Sequence, residues 1–269
     1  MSFPHDYHTH TAFSCDSQAP MEAMVQAAVA LGLPELGFSE HFDLNPVDSG
    51  YGYFRLEAWA AALAECRRRF AGQITLRAGL EIGEPHRYQP AVQAVAARYP
   101  FDYLIGSVHW VQDEMTLEAP YFRRPADEAF GLYFEELEAM TRAGGFDIVG
   151  HFDGLTRAGY EVYGAYDPRR YEPAIRAALK NCIANGIALE INTASMRRGI
   201  AQVTPGPVIL GWYAEMGGDR VTLGSDAHGP GRIGAHFAAA ARCLRDAGLQ
   251  AVMQFEGRRA RRQPLELDR

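Results

Sequence analysis

The chain has 269 residues, 48% hydrophobic and 22% charged, with 26 Lys and Arg against 33 Asp and Glu for a formal net charge of -7. That length can bury a sizeable core, and the acidic balance gives no long-range attraction to nucleic acid or anionic membranes, which disfavours long nucleic acids as partners. Cys15, Cys66, Cys182 and Cys243 make no CxxC pair, no apolar run approaches the ~18 residues of a membrane span, and "MSFPHDYHTH" lacks a signal pattern, so a cytoplasmic protein is expected.

Along the chain, short apolar runs alternate with longer helical patterns. The strand candidates are "FPHDYH", "LPELGFS", "ITLRAGLEI", "FDYLIGSV", "FDIVG", "IALEIN" and "RVTLGS". The helix candidates between them are "PMEAMVQAAVALG", "RLEAWAAALAECRRRF", "QPAVQAVAARY", "DEAFGLYFEELEAMTRAG", "PRRYEPAIRAALKNCIANG", "GPVILGWYAEMGG" and "GRIGAHFAAAARCLRDAG". Several begin at Pro and end at Gly, as capped helices do. Seven strands, each followed by a helix, predict a parallel α/β architecture, either a barrel or an open sheet. No linker, repeat or low-complexity tract divides residues 1–269, so one domain is expected. The charged end "EGRRARRQPLELDR", from about residue 257, reads as a peripheral, solvated segment that frays.

The C-terminal end of each strand candidate carries a metal-ligand type of side chain. Strand one ends in His8 and His10, strand two in His41, strand three in Glu81, strand four in His109 and strand five in His151. Strand six ends in Asn192, and strand seven in Asp226 and His228. His5, His86 and His236 fall elsewhere and read as structural or surface residues. In a parallel barrel these ends share one face, so residues far apart in sequence converge. Taken singly, each has an ordinary role: a hydrogen-bonded His, a Glu paired with Arg, an Asp capping a helix. Gathered together without a cation, they would cost heavy desolvation and repel on protonation. Asp16, in "SCDS", joins the set, although that run is also turn chemistry. Imidazole and carboxylate without thiolate suit Zn, Mn or Fe, and nine such side chains exceed the needs of one ion, implying two or three. A multi-metal site generates hydroxide near neutral pH and clamps a phosphoryl oxygen, which is what phosphoester hydrolysis needs.

The motifs "DYHTHT", "SEH", "GLEIG", "GSVHW", "GHFD" and "LGSDAH" resemble, in order and over nearly the whole chain, the polymerase-and-histidinol-phosphatase (PHP) superfamily. That resemblance implies a distorted seven-stranded (β/α) barrel with a trinuclear site. Carried across by motif, one ion takes His8, His10, Glu81 and Asp226, and a second takes Asp16, His41 and His228. A third takes Glu81, His109 and His151, with Glu81 bridging. In many members a histidine stands where Asp16 stands here. Within the superfamily, "EINTASMRR" and "GHFDGLTR" are similar to the runs of the histidinol-phosphate phosphatases, and imply Arg157 and Arg197 as phosphate ligands, with Arg198 and Arg232 as understudies. The loop "VQDEMTLEAP" after His109 and the Ala in "NTAS" depart from that group, on segments expected to meet the alcohol half of a substrate.

The expected activity is phosphomonoester hydrolysis, with L-histidinol phosphate as substrate and a metal-bridging hydroxide as nucleophile. Glu81, Asp226 and His228 are the catalytic candidates, the leaving group taking its proton from Asp226 or a site histidine. Glu40, Asp43 and Asp153 are placed either to meet a substrate's amino group and imidazole or to orient metal-bound histidines. The alternatives are another phosphoester substrate (a nucleotide, oligonucleotide or phosphotyrosine) and a metal-stabilised scaffold without activity. An amidohydrolase would normally show a bridging lysine after a strand, whereas the single lysine, Lys180, lies inside a helix candidate.

Overall fold

The strands, in chain order, are β1 (Glu35–Phe42), β2 (Thr75–Gly83), β3 (Tyr103–Ser107), β4 (Trp110–Val111), β5 (Glu114–Met115), β6 (Ile148–Val149), β7 (Ala188–Asn192), β8 (Val221–Gly224), β9 (Ala251–Glu256) and β10 (Arg259–Pro264). The helices are α1 (Met21–Ala30), α2 (Leu56–Arg69), α3 (Gln89–Arg98), α4 (Ala126–Ala143), α5 (Thr156–Tyr163), α6 (Glu172–Asn185), α7 (Pro207–Glu215) and α8 (Phe237–Asp246). These come from a computed structural model that describes residues 3–265; the side chain of Arg198 lies outside the described residues.

Six parallel strands form the central sheet in the order β1-β2-β3-β6-β7-β8. Both faces of such a sheet are covered, so its strands read as continuous apolar runs, as in the six consecutive buried residues that end β2. The helices pack their apolar stripes outside it. In α4, Phe130, Tyr133, Phe134, Leu137 and Met140 recur at helical spacing and are buried; Gly144, at φ 64°, ends the helix. Among the described residues, no helix is long and apolar enough to cross a membrane.

The first expected strand takes its expected place but not its regular form. Residues 5–10 lie between β1 and β8 and close a distorted barrel. Gly37 N–H donates to Asp6 O at 2.8 Å and Ser39 N–H to Thr9 O at 2.9 Å. On the other side, Tyr7 N–H donates to Leu223 O at 3.0 Å and His10 N–H to Ala227 O at 2.9 Å. Only isolated bridges result, because side chains take N–H groups that a ladder would use: His8 N–H goes to Asp6 Oδ1 and Thr9 N–H to Ser39 Oγ.

Tyr103 plugs the N-terminal floor of the barrel. A Cβ added at Gly37 would lie 2.0 Å from its hydroxyl oxygen, and one at Gly79 would lie 2.3 Å from its ring, so bare backbone makes its space. Tyr103 packs with Tyr7, Ile105, Ile148, Met253 and Phe255. The last two belong to β9, just before the charged end; that end is mostly exposed, as expected, but runs as the strand β10 where fraying was expected. β9 pairs antiparallel with β10, and the buried side chains of β9 hold that hairpin against the floor. Three of its arginines are tethered: Arg258 to Asp147, Arg261 to Gln254 and Arg262 to Asp219. Residues 266–269 of that tail lie outside the described residues.

Candidate metal centre

At the opposite end of the barrel the strands deliver their polar termini to one point. Glu81, 1% exposed near the end of β2, is the hub. Its Oε2 lies 3.1 Å from His8 Nε2, 3.5 Å from His10 Nε2 and 3.2 Å from His41 Nδ1. Its Oε1 lies 3.3 Å from His109 Nε2 and 2.9 Å from His151 Nε2, and accepts Ser107 Oγ–H at 2.7 Å. Asp226 stands across from it, with Oδ1 3.5 Å from His10 Nε2 and 3.5 Å from His228 Nδ1. His151 at φ 23° and Asp226 at φ 54° both leave their strands in the left-handed region, a strain typical of functional positions.

Asp16 and His228 complete the outer side. Asp16 Oδ2 is 2.8 Å from His228 Nε2 and 3.5 Å from His41 Nε2, while the His10 ring packs against those of both His41 and His228. All nine side chains expected to ligate metal therefore meet. Their donor atoms fall into four overlapping groups, each within 4.8 Å: His10–Asp16–His41–His228, His8–His10–Asp226, His8–Glu81–His151 and His41–Glu81–His109.

The groups present suit divalent ions. His8 Nε2, His10 Nε2 and His41 Nδ1 are buried without a hydrogen-bond partner, and all three converge on Glu81 Oε2. A buried nitrogen without a partner is costly, and a cation that takes its lone pair removes the cost. The charges agree. Burial alone would lower His41, but Glu81, Asp43 and Asp16 outweigh it and push the imidazole up to about 9. His8 and His109 are likewise driven well above the ordinary value against their burial, whereas burial and the neighbouring His228 and His41 bring His10 down to about 3. Burial opposes ionisation of Glu81, yet His8, His41 and His109 hold it well below the usual carboxylate range. Protons thus do here what cations do better. All four cysteines are free and none belongs to the groups.

Several orienting residues lie outside the sequence motifs' ligand positions. Glu190, on β7, lies 2.7 Å from His8 Nδ1 and accepts His151 N–H at 2.6 Å. Asn192 is no part of the ligand groups; its amide donates to Glu190 Oε1 at 3.0 Å. Glu84 accepts the N–H groups of His109 and Trp110, and Asp6 accepts from the N–H and the hydroxyl of Ser225. Of the three acids with two readings, Glu40 is spent on Thr11 and Ser14, and Asp43 sits 3.2 Å from His109 Nδ1, so these two orient the site. Asp153 accepts from Tyr166 and Gly206 and does not line the central cleft.

That cleft, of about 330 Å³, is lined by Asp16, His41, Glu81, His109, Asp226 and three arginines, Arg157, Arg197 and Arg232. Arg157 NH1 donates to Asp226 Oδ2 at 2.5 Å, while its Nε and NH2 are buried without acceptors. Arg197 is fixed by the carbonyls of Ser225 and Asp226. The loop after His109 is the β4–β5 hairpin, turned by Gln112 and Asp113 at positive φ, and just beyond it Leu117 reaches the cleft.

The family model of the PHP domain matches residues 6–194. The chain belongs to the PHP domain family. It is 32% identical over 255 residues to a Deinococcus radiodurans protein named "Probable histidinol-phosphatase", covering 92% of this chain and 95% of that one. To the histidinol-phosphatase of Lactococcus lactis it is 26% identical over 260 residues, 94% of each chain. The crystal structure of the L. lactis histidinol phosphate phosphatase, complexed with Zn, L-histidinol and phosphate, superposes with a TM-score of 0.84 at 23% identity, over 97% of this chain and 100% of that one. The PHP match stops before Asp226 and His228, but the fold likeness spans them.

Proposed function

We propose that this PHP protein is a metal-dependent phosphomonoesterase that hydrolyses L-histidinol phosphate to L-histidinol and phosphate, a step of histidine synthesis. The observation that carries the reading is a cleft lined by Glu81, on which three partnerless imidazole nitrogens converge, and by Arg157, which keeps two buried N–H groups without acceptors. His8, His10, Glu81 and Asp226 would hold one ion, Asp16, His41 and His228 a second, and Glu81, His109 and His151 a third. Bound ions of the Zn, Mn or Fe class supply Lewis acidity and an ionised water near neutral pH.

The chain's own groups do the rest. Arg157 offers Nε–H and NH2 to two phosphate oxygens, a forked geometry that only guanidinium provides. Arg197 and Arg232 add positive charge along the same wall, where charge develops on the equatorial oxygens. Burial opposes ionisation of Asp226, but Arg157 and His8 keep it well below the usual range, so it stays ionised, as a ligand must, and is not the acid. His228, the most exposed histidine of the site, is then the candidate to supply the leaving alkoxide's proton. The cleft volume suits a small phosphomonoester. The names of the relatives supply the particular alcohol.

The test is phosphate release by Mn- or Zn-loaded protein from L-histidinol phosphate, p-nitrophenyl phosphate and a short dinucleotide. A preference of ~10³ in kcat/KM for histidinol phosphate, about 4 kcal/mol of differential transition-state binding, is expected. Equal, low rates would reject that substrate in favour of another phosphoester, with the β4–β5 loop as the segment that changed. No hydrolysis of any would make the chain a metal-stabilised scaffold.

A further inference from the structure

We propose that Glu190 is a positioning residue that sets two of the three cation positions together, an inference that rests on the metal reading above. Glu190 is 1% exposed inside the barrel, one pleat below Asn192 on the same face of β7. Its two oxygens serve two different ligand-bearing segments. Oε1 meets the ring Nδ1 of His8 on the N-terminal segment at 2.7 Å. Oε2 accepts the backbone N–H of His151, after β6, at 2.6 Å. The fold keeps this reach open. At Gly224, the β8 partner of Asn192, a Cβ would lie 1.8 Å from Glu190 Oε1 and 2.7 Å from His8 Cβ.

Both oxygens of Glu190 accept hydrogen bonds, from Asn192 Nδ2 and from His151 N–H, so His8 carries its proton on Nδ1 and presents the Nε2 lone pair to the centre. Nε2 is the atom that lies 3.1 Å from Glu81 and has no hydrogen-bond partner. The second contact fixes the backbone of His151, whose Nε2 reaches the other oxygen of Glu81. By the assignment proposed above His8 would serve the first cation position and His151 the third, and the two also share a group with Glu81. Neither belongs to the group of His10, Asp16, His41 and His228. Glu190 therefore acts on two positions and leaves the outer one alone.

Glutamine is the sharp probe, being nearly the same shape. Glu190 faces three donors: His151 N–H, Asn192 Nδ2 and His8 Nδ1–H. With its oxygen toward His151, the amide of Glu190→Gln would point NH2 at His8 and Asn192, driving the His8 proton onto Nε2, the ligating atom. Turned over, its NH2 would oppose His151 N–H. No rotamer of the amide serves both.

The experiment uses full-length, metal-stripped protein, wild type and Glu190→Gln. Zn is titrated by calorimetry, and bound ions are counted by native mass spectrometry. Thermal melts of the stripped forms report folding. The expected result is that E190Q keeps one ion at wild-type affinity, while the others bind about 10- to 100-fold more weakly. Adding Asp16→Ala to E190Q then abolishes the remaining tight ion. If E190Q loads every ion at wild-type affinity, or a folded E190Q loses all of them equally, the proposal fails and Glu190 merely ties strands together. If E190Q does not melt cooperatively, Glu190→Asp takes its place in the same titration, with its charge kept but one methylene short of His8. Selective weakening of two ions then supports the proposal, and unchanged or uniform loading overturns it. A wild type that binds no ion overturns the metal reading itself, a result separate from either.

Discussion

Replacing Glu81 by Gln removes one charge and one acceptor from the point where five imidazoles meet. The amide oxygen stays on the side of Ser107, whose hydroxyl donates to Oε1 at 2.7 Å. The NH2 then replaces Oε2, which lies 3.1–3.5 Å from His8, His41 and His10. Glu81 borders two of the proposed cation positions. Loss of an orienting partner alone costs ~10- to 100-fold in metal affinity or activity, so losing a direct ligand at two positions should cost at least ~10²- to 10⁴-fold. That is roughly 2.7–5.5 kcal/mol of transition-state stabilisation. The assay is kcat/KM for p-nitrophenyl phosphate across a series of Mn concentrations. The deficit should shrink as Mn rises, because part of it is occupancy. An E81Q enzyme within about three-fold of wild type at low Mn would refute the bridging role.

Other consequences are equally direct. His41 rises from its ordinary 6.5 to about 9 in the stripped fold, so its contribution to stability is full below 6.5 and is lost as pH climbs toward 9. A cation-loaded site holds His41 neutral and escapes that loss, so the gap in melting temperature between loaded and stripped protein should widen across this window. A gap that narrows with pH would contradict the assignment. Arg157→Ala should weaken competitive inhibition by inorganic phosphate by at least about 10-fold, and Arg157→Lys should restore little, since an ammonium lacks the fork. Gly79→Ala places a methyl 2.3 Å from the Tyr103 ring. Overpacking of this kind costs about 1–3 kcal/mol, so scanning calorimetry should show a melting temperature lower by roughly 2–12 °C.

The ligand set is legible in the sequence because a parallel barrel turns a one-dimensional rule, polar residues after apolar runs, into a three-dimensional cluster. Glu190 escapes that rule because it lies inside "IALEIN" rather than at its end, where Asn192 stands. Its signal is an acid within a buried apolar strand, which must be paired to be tolerated; Glu40 in "GFSEH" and Asp6 in "FPHDYH" carry the same signal. The first strand is less regular than its apolar pattern suggests, since period-two patterning does not reveal that Asp6 and Ser39 side chains take ladder donors. Helix α5 has Gly159 and no side-chain cap, so propensity does not mark it. It forms next to the aromatic side chains of Phe122 and Phe130, 3.5 Å from where a Gly159 Cβ would sit. The β9–β10 hairpin hides behind its arginines, which mark only the exposed strand. Its apolar partner strand is what the barrel floor requires.

The central claim is that this cleft works through bound cations. The most direct measurement is phosphate release from L-histidinol phosphate and p-nitrophenyl phosphate by chelator-stripped protein as Zn or Mn is added back, with ions per chain counted at each step. Activity should be absent in the stripped protein and rise as the second and third ions load. Hydrolysis that persists undiminished after stripping would contradict the account.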